Sequence, residues 1–239
     1  MYREILDVWT PLAPSPLVWI VLTIGAYLGG CWLQRRVGGA AYANPVLFAV
    51  VVVGLVVLAT GTSYSTYFGG AQFINFLLGP ATVALAVPLA RNFHHIRRNL
   101  ASIGVALAAG SVTAIISGIF IVHMLGGSRA TALSMAPKSV TTPIAMAVST
   151  EIGGDPALTA ALAMVGGILA AIVGEKMLKG LRVADWRAHG LAAGVAGSGV
   201  AAAQAASLDG LAAAFAALGI ALNGLMTALI LPLVPLVWH

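Results

Sequence analysis

From Val37 to Ala90 the chain carries no Asp, Glu, Lys, Arg or His. An apolar run of that length holds two spans of about 20 residues and a turn, and no water-soluble surface tolerates it. The rest of the chain agrees. Of 239 residues, 60% are hydrophobic and 8% are charged, against roughly 25% charged in soluble domains. The chain is expected to be an all-α integral membrane protein. The pattern counts about six to eight transmembrane segments in a single polytopic domain over 17–239, after an interfacial lead-in over 1–16 that carries Trp9 and three prolines.

The net charge of +5 reads as topology, not nucleic-acid affinity. Basic residues flank the apolar runs: Arg35 and Arg36, then Arg91, Arg97 and Arg98, then Lys176, Lys179, Arg182 and Arg187. Such flanks are ordinarily retained in the cytoplasm. With one cysteine, Cys31, no intrachain disulfide forms. Spans are expected over 17–33, 46–59, 100–122, 157–173 and 211–237, and 190–206 is a small-residue run rich in glycine and alanine. An interface loop is expected over 61–72, and a charged connector over 175–187.

Two segments depart from plain spans. The run 73–90 is interrupted by Gly79-Pro80 and by Pro88, and 131–150 is interrupted by Pro137 and Pro143. Both read as Pro/Gly-broken or re-entrant helices. They align loosely, Pro80 with Pro137, Thr82 with Ser139 and Val83 with Val140. An internal repeat and a chance match in low-complexity sequence both account for that. Paired interrupted segments point to a transporter's substrate site. Were 131–150 to cross fully, the basic connector would fall outside; a re-entrant path keeps it inside, as the charge rule prefers.

The sequence Pro137-Lys138-Ser139-Val140-Thr141-Thr142-Pro143 sets a lysine and three hydroxyls in this apolar surrounding. Ionisable residues at membrane depth are costly and mark sites or pathways. Pro143 suits the first turn of a helix, with Thr142 as its N-cap. Free N–H groups and the positive dipole end would then face an anion. Gly79-Pro80-Ala81-Thr82 reads as a similar helix start, and Asn75 either hydrogen-bonds within the broken element or faces substrate. The expected ligand is a small carboxylate. The plainer alternative has Lys138 snorkelling to an interface and the hydroxyls bonding carbonyls four residues back.

Glu151 and Asp155 either cap the next helix or hold a coupling cation, and Gln204 either faces the pathway or packs. His94, His95 and His123 read as loop and interface residues. No metal-binding, phosphate-loop or nucleophile-elbow motif occurs, so neither a metal nor a cofactor is expected. A Ser–Lys nucleophile would need Ser134 beside Lys138 on an unbroken helix, which Pro137 opposes. No enzyme is expected.

Tyr67-Phe68-Gly69-Gly70, the run 77–89, the run 137–146, and Glu151-Ile152-Gly153-Gly154 with Pro156, Leu158 and Thr159 resemble the LrgB/CidB family. The likeness covers the chain from about Asn44 onward. It implies a multi-pass protein of the bacterial inner membrane, paired with a small LrgA/CidA-type partner. Such proteins are described as holin/antiholin-like modulators of murein hydrolase activity and autolysis. Relatives include a plastidal glycolate/glycerate translocator and bacterial pyruvate transport systems. Near 190–202 this chain departs from the family pattern, and the family's histidine position is occupied by Ser198. Coupling or substrate choice is the property this puts in doubt.

The leading expectation is therefore transport of a small monocarboxylate of the glycolate, glycerate, pyruvate or lactate class, with H⁺ or Na⁺ coupling open. The alternative is an antiholin-like regulator acting through its partner. A homo-oligomer is compatible with either.

Overall fold

The computed structural model describes residues 15–38, 43–77 and 93–233, together with positions 80, 83 and 90. It contains helices and no strand among these residues. The chain divides into two compact units, Met1–Ala84 and Leu85–His239.

The first unit holds α1 (Pro16–Arg36), α2 (Pro45–Thr60) and α3 (Tyr64–Phe76). Prolines open the first two, where a missing N–H costs nothing. Asn44 Oδ1 caps α2 by accepting from the Val46 and Leu47 N–H groups at 2.8 and 3.3 Å, and Gly61 ends it in the left-handed region at φ 63°. The interface loop expected over 61–72 is a helix instead. Its aromatics and glycines are weak helix formers, but tertiary packing outweighs propensity. Trp19, fully buried, meets Tyr67 edge-on at 5.3 Å, and a β-carbon at Gly70 would overlap the Trp19 indole. The other expected broken element, 73–90, lies largely outside the described residues.

The second unit begins with α4 (Phe93–Arg98) and α5 (Leu100–Met124), followed by α6 (Arg129–Met135) and α7 (Thr142–Ile152). Then come α8 (Pro156–Gly180), α9 (Trp186–Leu208) and α10 (Gly210–Ile230), closed by a 3-10 turn, Leu231–Leu233. Aspartates at N-caps start the last three helices: Asp155, Asp185 and Asp209 each accept from backbone N–H groups of the first turn. The span expected over 157–173 runs on to Gly180, through part of the expected connector. Lys179 pairs with Glu175 at 2.6 Å one turn back, and its charge suits a helix C-terminus.

The interruption expected within 131–150 is present, and it reverses the chain. Leu133 and Ala136 share a core cluster with Ile115, Lys138 reaches Ala114, and Ser139 and Ser111 are both bonded by Asn223. Numbers fall along α5 as they rise from 133 to 139, so this stretch runs antiparallel to α5. The return is equally plain. Val148 and Ile152 lie in the same cluster as Leu133, and the Asp155 N–H donates to Ser134 Oγ at 2.7 Å. Had α7 continued in the direction of α6, that pair would be about 20 Å apart. The segment 129–152 is thus a re-entrant hairpin with both ends towards the Met124 end of α5.

A second hairpin follows in α9, where the sequence showed only a run of small residues. Ser198 breaks the helix with φ 47° and ψ −136°. Trp186 and His189 from its first half and Gln204 and Leu208 from its second line one cavity with Leu178 and Leu181. A straight helix would set Trp186 and Leu208 about 33 Å apart. Register gives the same answer. β-carbons at Gly190 and Gly194 would overlap the Ala212 and Ala216 carbonyl oxygens, so the first half of α9 runs parallel to α10. Only Asp209 separates α9 from α10, and a parallel run is reached across one residue only if the second half turns back.

Five described helices are long and apolar enough to cross a membrane: α1, α5, α8, α9, and α10 with its terminal turn. In α9 that length is folded in two. Within the second unit, α5, α8 and α10 are long and apolar enough to cross, and the two hairpins insert between them from opposite ends. The Leu100 end of α5, the Gly180 end of α8 and Asp209 share one face with Arg97, Arg98, Lys176, Lys179, Arg182 and Arg187. The other face carries Arg129, with Glu151 and Asp155. The first face carries the basic excess, the pattern that the positive-inside rule associates with the cytoplasm.

Candidate functional site

The tips of the two hairpins meet near the middle of the crossing helices. Asn223, in α10 and 1% exposed, joins them. Its Nδ2 donates to the Ser139 carbonyl at 3.1 Å and to the Val195 carbonyl at 3.0 Å, and its Oδ1 accepts from Ser111 Oγ. A break at Ser198 interrupts the i to i+4 ladder, so a side-chain donor to Val195, three residues upstream, offsets what the ladder loses. Helix α8 seats both tips one turn apart. Ala163 packs with Val140 and Ala145 of the first hairpin, and a β-carbon at Gly167 would lie 3.0 Å from the Gly197 oxygen of the second.

Lys138 sits at the first tip. Its Nζ donates to the Ala114 carbonyl at 3.2 Å, and Gly118, one turn on, leaves room: a β-carbon there would stand 3.4 Å from Nζ. Ala114 is ten residues from the Met124 end of α5, about 15 Å along the axis. The ammonium therefore does not snorkel to that end of the helix. Among the described residues no carboxylate pairs with it.

The hydroxyls at the tip differ from those elsewhere. Thr60, Ser134 and Thr150 each bond the carbonyl four residues back. Among the described residues, no hydrogen bond engages the hydroxyls of Ser139, Thr141 and Thr142. One detail departs from the sequence reading. The Ala145 N–H donates to the Thr141 carbonyl at 2.9 Å, so Thr141, extended at φ −61° and ψ 141°, is the N-cap. Thr142 is the first helical residue and Pro143 the second, still within the turn where no N–H is needed. The Thr141 side chain makes no capping bond, and the donors of the first turn stay open towards the tip.

The remaining candidates scatter. Ser198 is buried at the second tip. Gln204 lines the cavity of about 570 Å³ between α8 and the two arms of the second hairpin, with His189 and Glu175; neither Lys138 nor Ser139 lines it. The tip chemistry and this apolar cavity are thus separate places. Glu151 is exposed at the far end of α7, and Asp155 caps α8. Pro80 is exposed, Asn75 falls in α3 of the first unit, and Gly79 and Thr82 lie outside the described residues. Ser134, which an unbroken helix would set beside Lys138, donates to Ala130 and accepts from Asp155. Sequence reasoning passed over Asn223 and Ser111 as site residues. The signal was available, since Asn223 is the single amide in an otherwise apolar span, and intramembrane polar residues mark sites.

The LrgB-like family model matches residues 23–237. The chain belongs to the LrgB-like family. A curated relative, the uncharacterized protein YxaC of Bacillus subtilis (strain 168), is 31% identical over 223 residues, which is 93% of this chain and 96% of that protein. An antiholin-like protein LrgB of Bacillus cereus (strain B4264) is 31% identical over 220 residues, 92% of this chain and 95% of that protein. The antiholin-like protein LrgB of Bacillus anthracis (strain CDC 684 / NRRL 3495) matches to the same extent. No solved structure matches.

Proposed function

We propose that this LrgB-family protein is a carrier of small monocarboxylates, of the glycolate, glycerate, pyruvate or lactate class, in the bacterial inner membrane. The observation that carries the reading is the first hairpin tip. A lysine held at mid-helix depth by the Ala114 carbonyl is followed along the chain by Ser139, Thr141 and Thr142, whose hydroxyls no described residue engages, at the N-terminus of α7. A lysine without a carboxylate partner and unused hydroxyls at a helix start are the groups that a carboxylate satisfies. Broken helices at membrane depth occur where backbone lines a cavity or site. The residues proposed to bind are Lys138, Ser139, Thr141, Thr142 and the first turn of α7 at Pro143. Coupling to H⁺ or Na⁺ is compatible with the reading and is not needed by it.

A second reading has support of its own. The names of the Bacillus cereus and Bacillus anthracis relatives speak for an antiholin-like regulator more directly than for a carrier; such a regulator would act through an LrgA/CidA-type partner. The two separate in proteoliposomes. Saturable uptake of labelled glycolate or pyruvate by this protein alone, lost in Lys138→Ala at equal insertion, supports the carrier. Leak that arises only when the partner is present supports the regulator. Uptake unchanged in Lys138→Ala removes the lysine from the site.

A further inference from the structure

The carrier reading draws on one hairpin only. The second hairpin brings a helix start of its own to the same depth. Past Ser198 the chain is helical again from 199 to 208, long enough to present a first turn of N–H groups that lack partners four residues back. The positive end of this half-helix lies at the tip.

Ser198 occupies the N-cap position of that half-helix. A serine there ordinarily turns its hydroxyl onto the N–H two or three residues on. This one does not. It is 8% exposed, and its hydroxyl has no hydrogen-bond partner among the described residues. Its φ of 47° with ψ of −136° is backbone that glycine adopts freely and serine does not. The chain thus holds a strained serine with an unused, buried hydroxyl where glycine would fit more easily. Neighbouring positions 197 and 199 are glycines, so a glycine at this turn would be in keeping with its surroundings.

The two tips are adjacent. One amide nitrogen of Asn223 bonds a carbonyl from each, and α8 touches them one turn apart. We propose that the second hairpin is the other half of the anion site. The Ser198 hydroxyl and the N-terminus of 199–208 would bind, from the side of the basic face, the same small carboxylate that Lys138, Thr141 and Thr142 bind from the opposite side. The proposal rests on the carrier reading and extends it from one hairpin to two. It makes bound substrate a bridge between hairpins that insert from opposite ends.

The test is equilibrium binding of labelled glycolate and pyruvate to the purified full chain in nanodiscs. The variants are Ser198→Ala, Ser198→Gly and Lys138→Ala, with Ser207→Ala as control, since Ser207 bonds Gln204 near the far end of the same half-helix. Both Ser198 variants should bind about ten- to a hundredfold more weakly, as expected for a lost bond to a charged ligand. Ser198→Gly, freed of strain, should melt no lower than the parent, which separates loss of a ligand from loss of fold. If Ser198→Gly binds like the parent, or loses binding only together with stability, the proposal is overturned while a Lys138→Ala defect leaves the carrier reading standing. If the parent binds neither acid, both fall.

Discussion

Asn223→Leu tests the architecture without reference to any substrate. The change keeps the number and branching of the side-chain heavy atoms and removes every polar group. Three partners lose a bond at once: the Ser111 hydroxyl and the carbonyls of Ser139 and Val195. Each buried group left unsatisfied costs about 1–3 kcal/mol. The carbonyls keep some relief from local relaxation, so a total of about 3–5 kcal/mol is expected. For a chain of this size, 1 kcal/mol moves a melting midpoint by roughly 2–4 °C. A fall of roughly 6–20 °C should therefore appear in a detergent melt followed by circular dichroism. Ser111→Ala alone should cost about 1 kcal/mol, and almost nothing more once Asn223 is Leu, because the two share one bond. An Asn223→Leu protein as stable as the parent, or strictly additive costs, would refute the claim that this amide ties the two hairpins together.

Other outcomes follow from the same geometry. Thr141→Val should weaken carboxylate binding about ten- to a hundredfold with little loss of stability, because the side chain makes no capping bond. Thr150→Val, at the negative end of α7, should leave binding nearly intact, and equal losses would count against a site at the helix start. Gly194→Val should prevent stable folding, since its β-carbon meets the Ala216 backbone. Gly166→Ala, with open space around it, should raise or preserve the melting temperature, and the reverse order would discredit the packing of α9 on α10. In a Cys31→Ala background, single cysteines at Arg182 and Leu208 should label from one face with a membrane-impermeant maleimide, and those at Arg129 and Asp155 from the other. Labelling of Leu208 and Arg182 from opposite faces would show α9 crossing straight through.

Much of this molecule is written locally. Composition alone demands lipid around the helices, because a chain with so few charges has nothing to offer water. Asn44-Pro45, Asp155-Pro156 and the aspartates at 185 and 209 announce helix starts, since an acceptor before a first turn satisfies donors that have no other partner. Pro137 and Pro143 announce a break, and the lysine and hydroxyls between them announce polar work at depth, because each would otherwise be costly there. Even the N-cap was legible to within one residue: the Ala145 N–H donates to the Thr141 carbonyl, which makes Thr141 and not Thr142 the cap. The tertiary structure alone decided the rest. No proline marks the bend at Ser198; Gly197-Ser198-Gly199 suits a close-packed straight helix as well as a turn. The choice between them is made far away in sequence, by an amide on α10 that takes up the Val195 carbonyl and by glycines at 190 and 194 that let α10 lie flush against the first half of α9. Helix α3 has the same origin, since weak helix formers were held in place by Trp19. Local chemistry set where the backbone is free to break, and long-range contacts set the direction in which it continued.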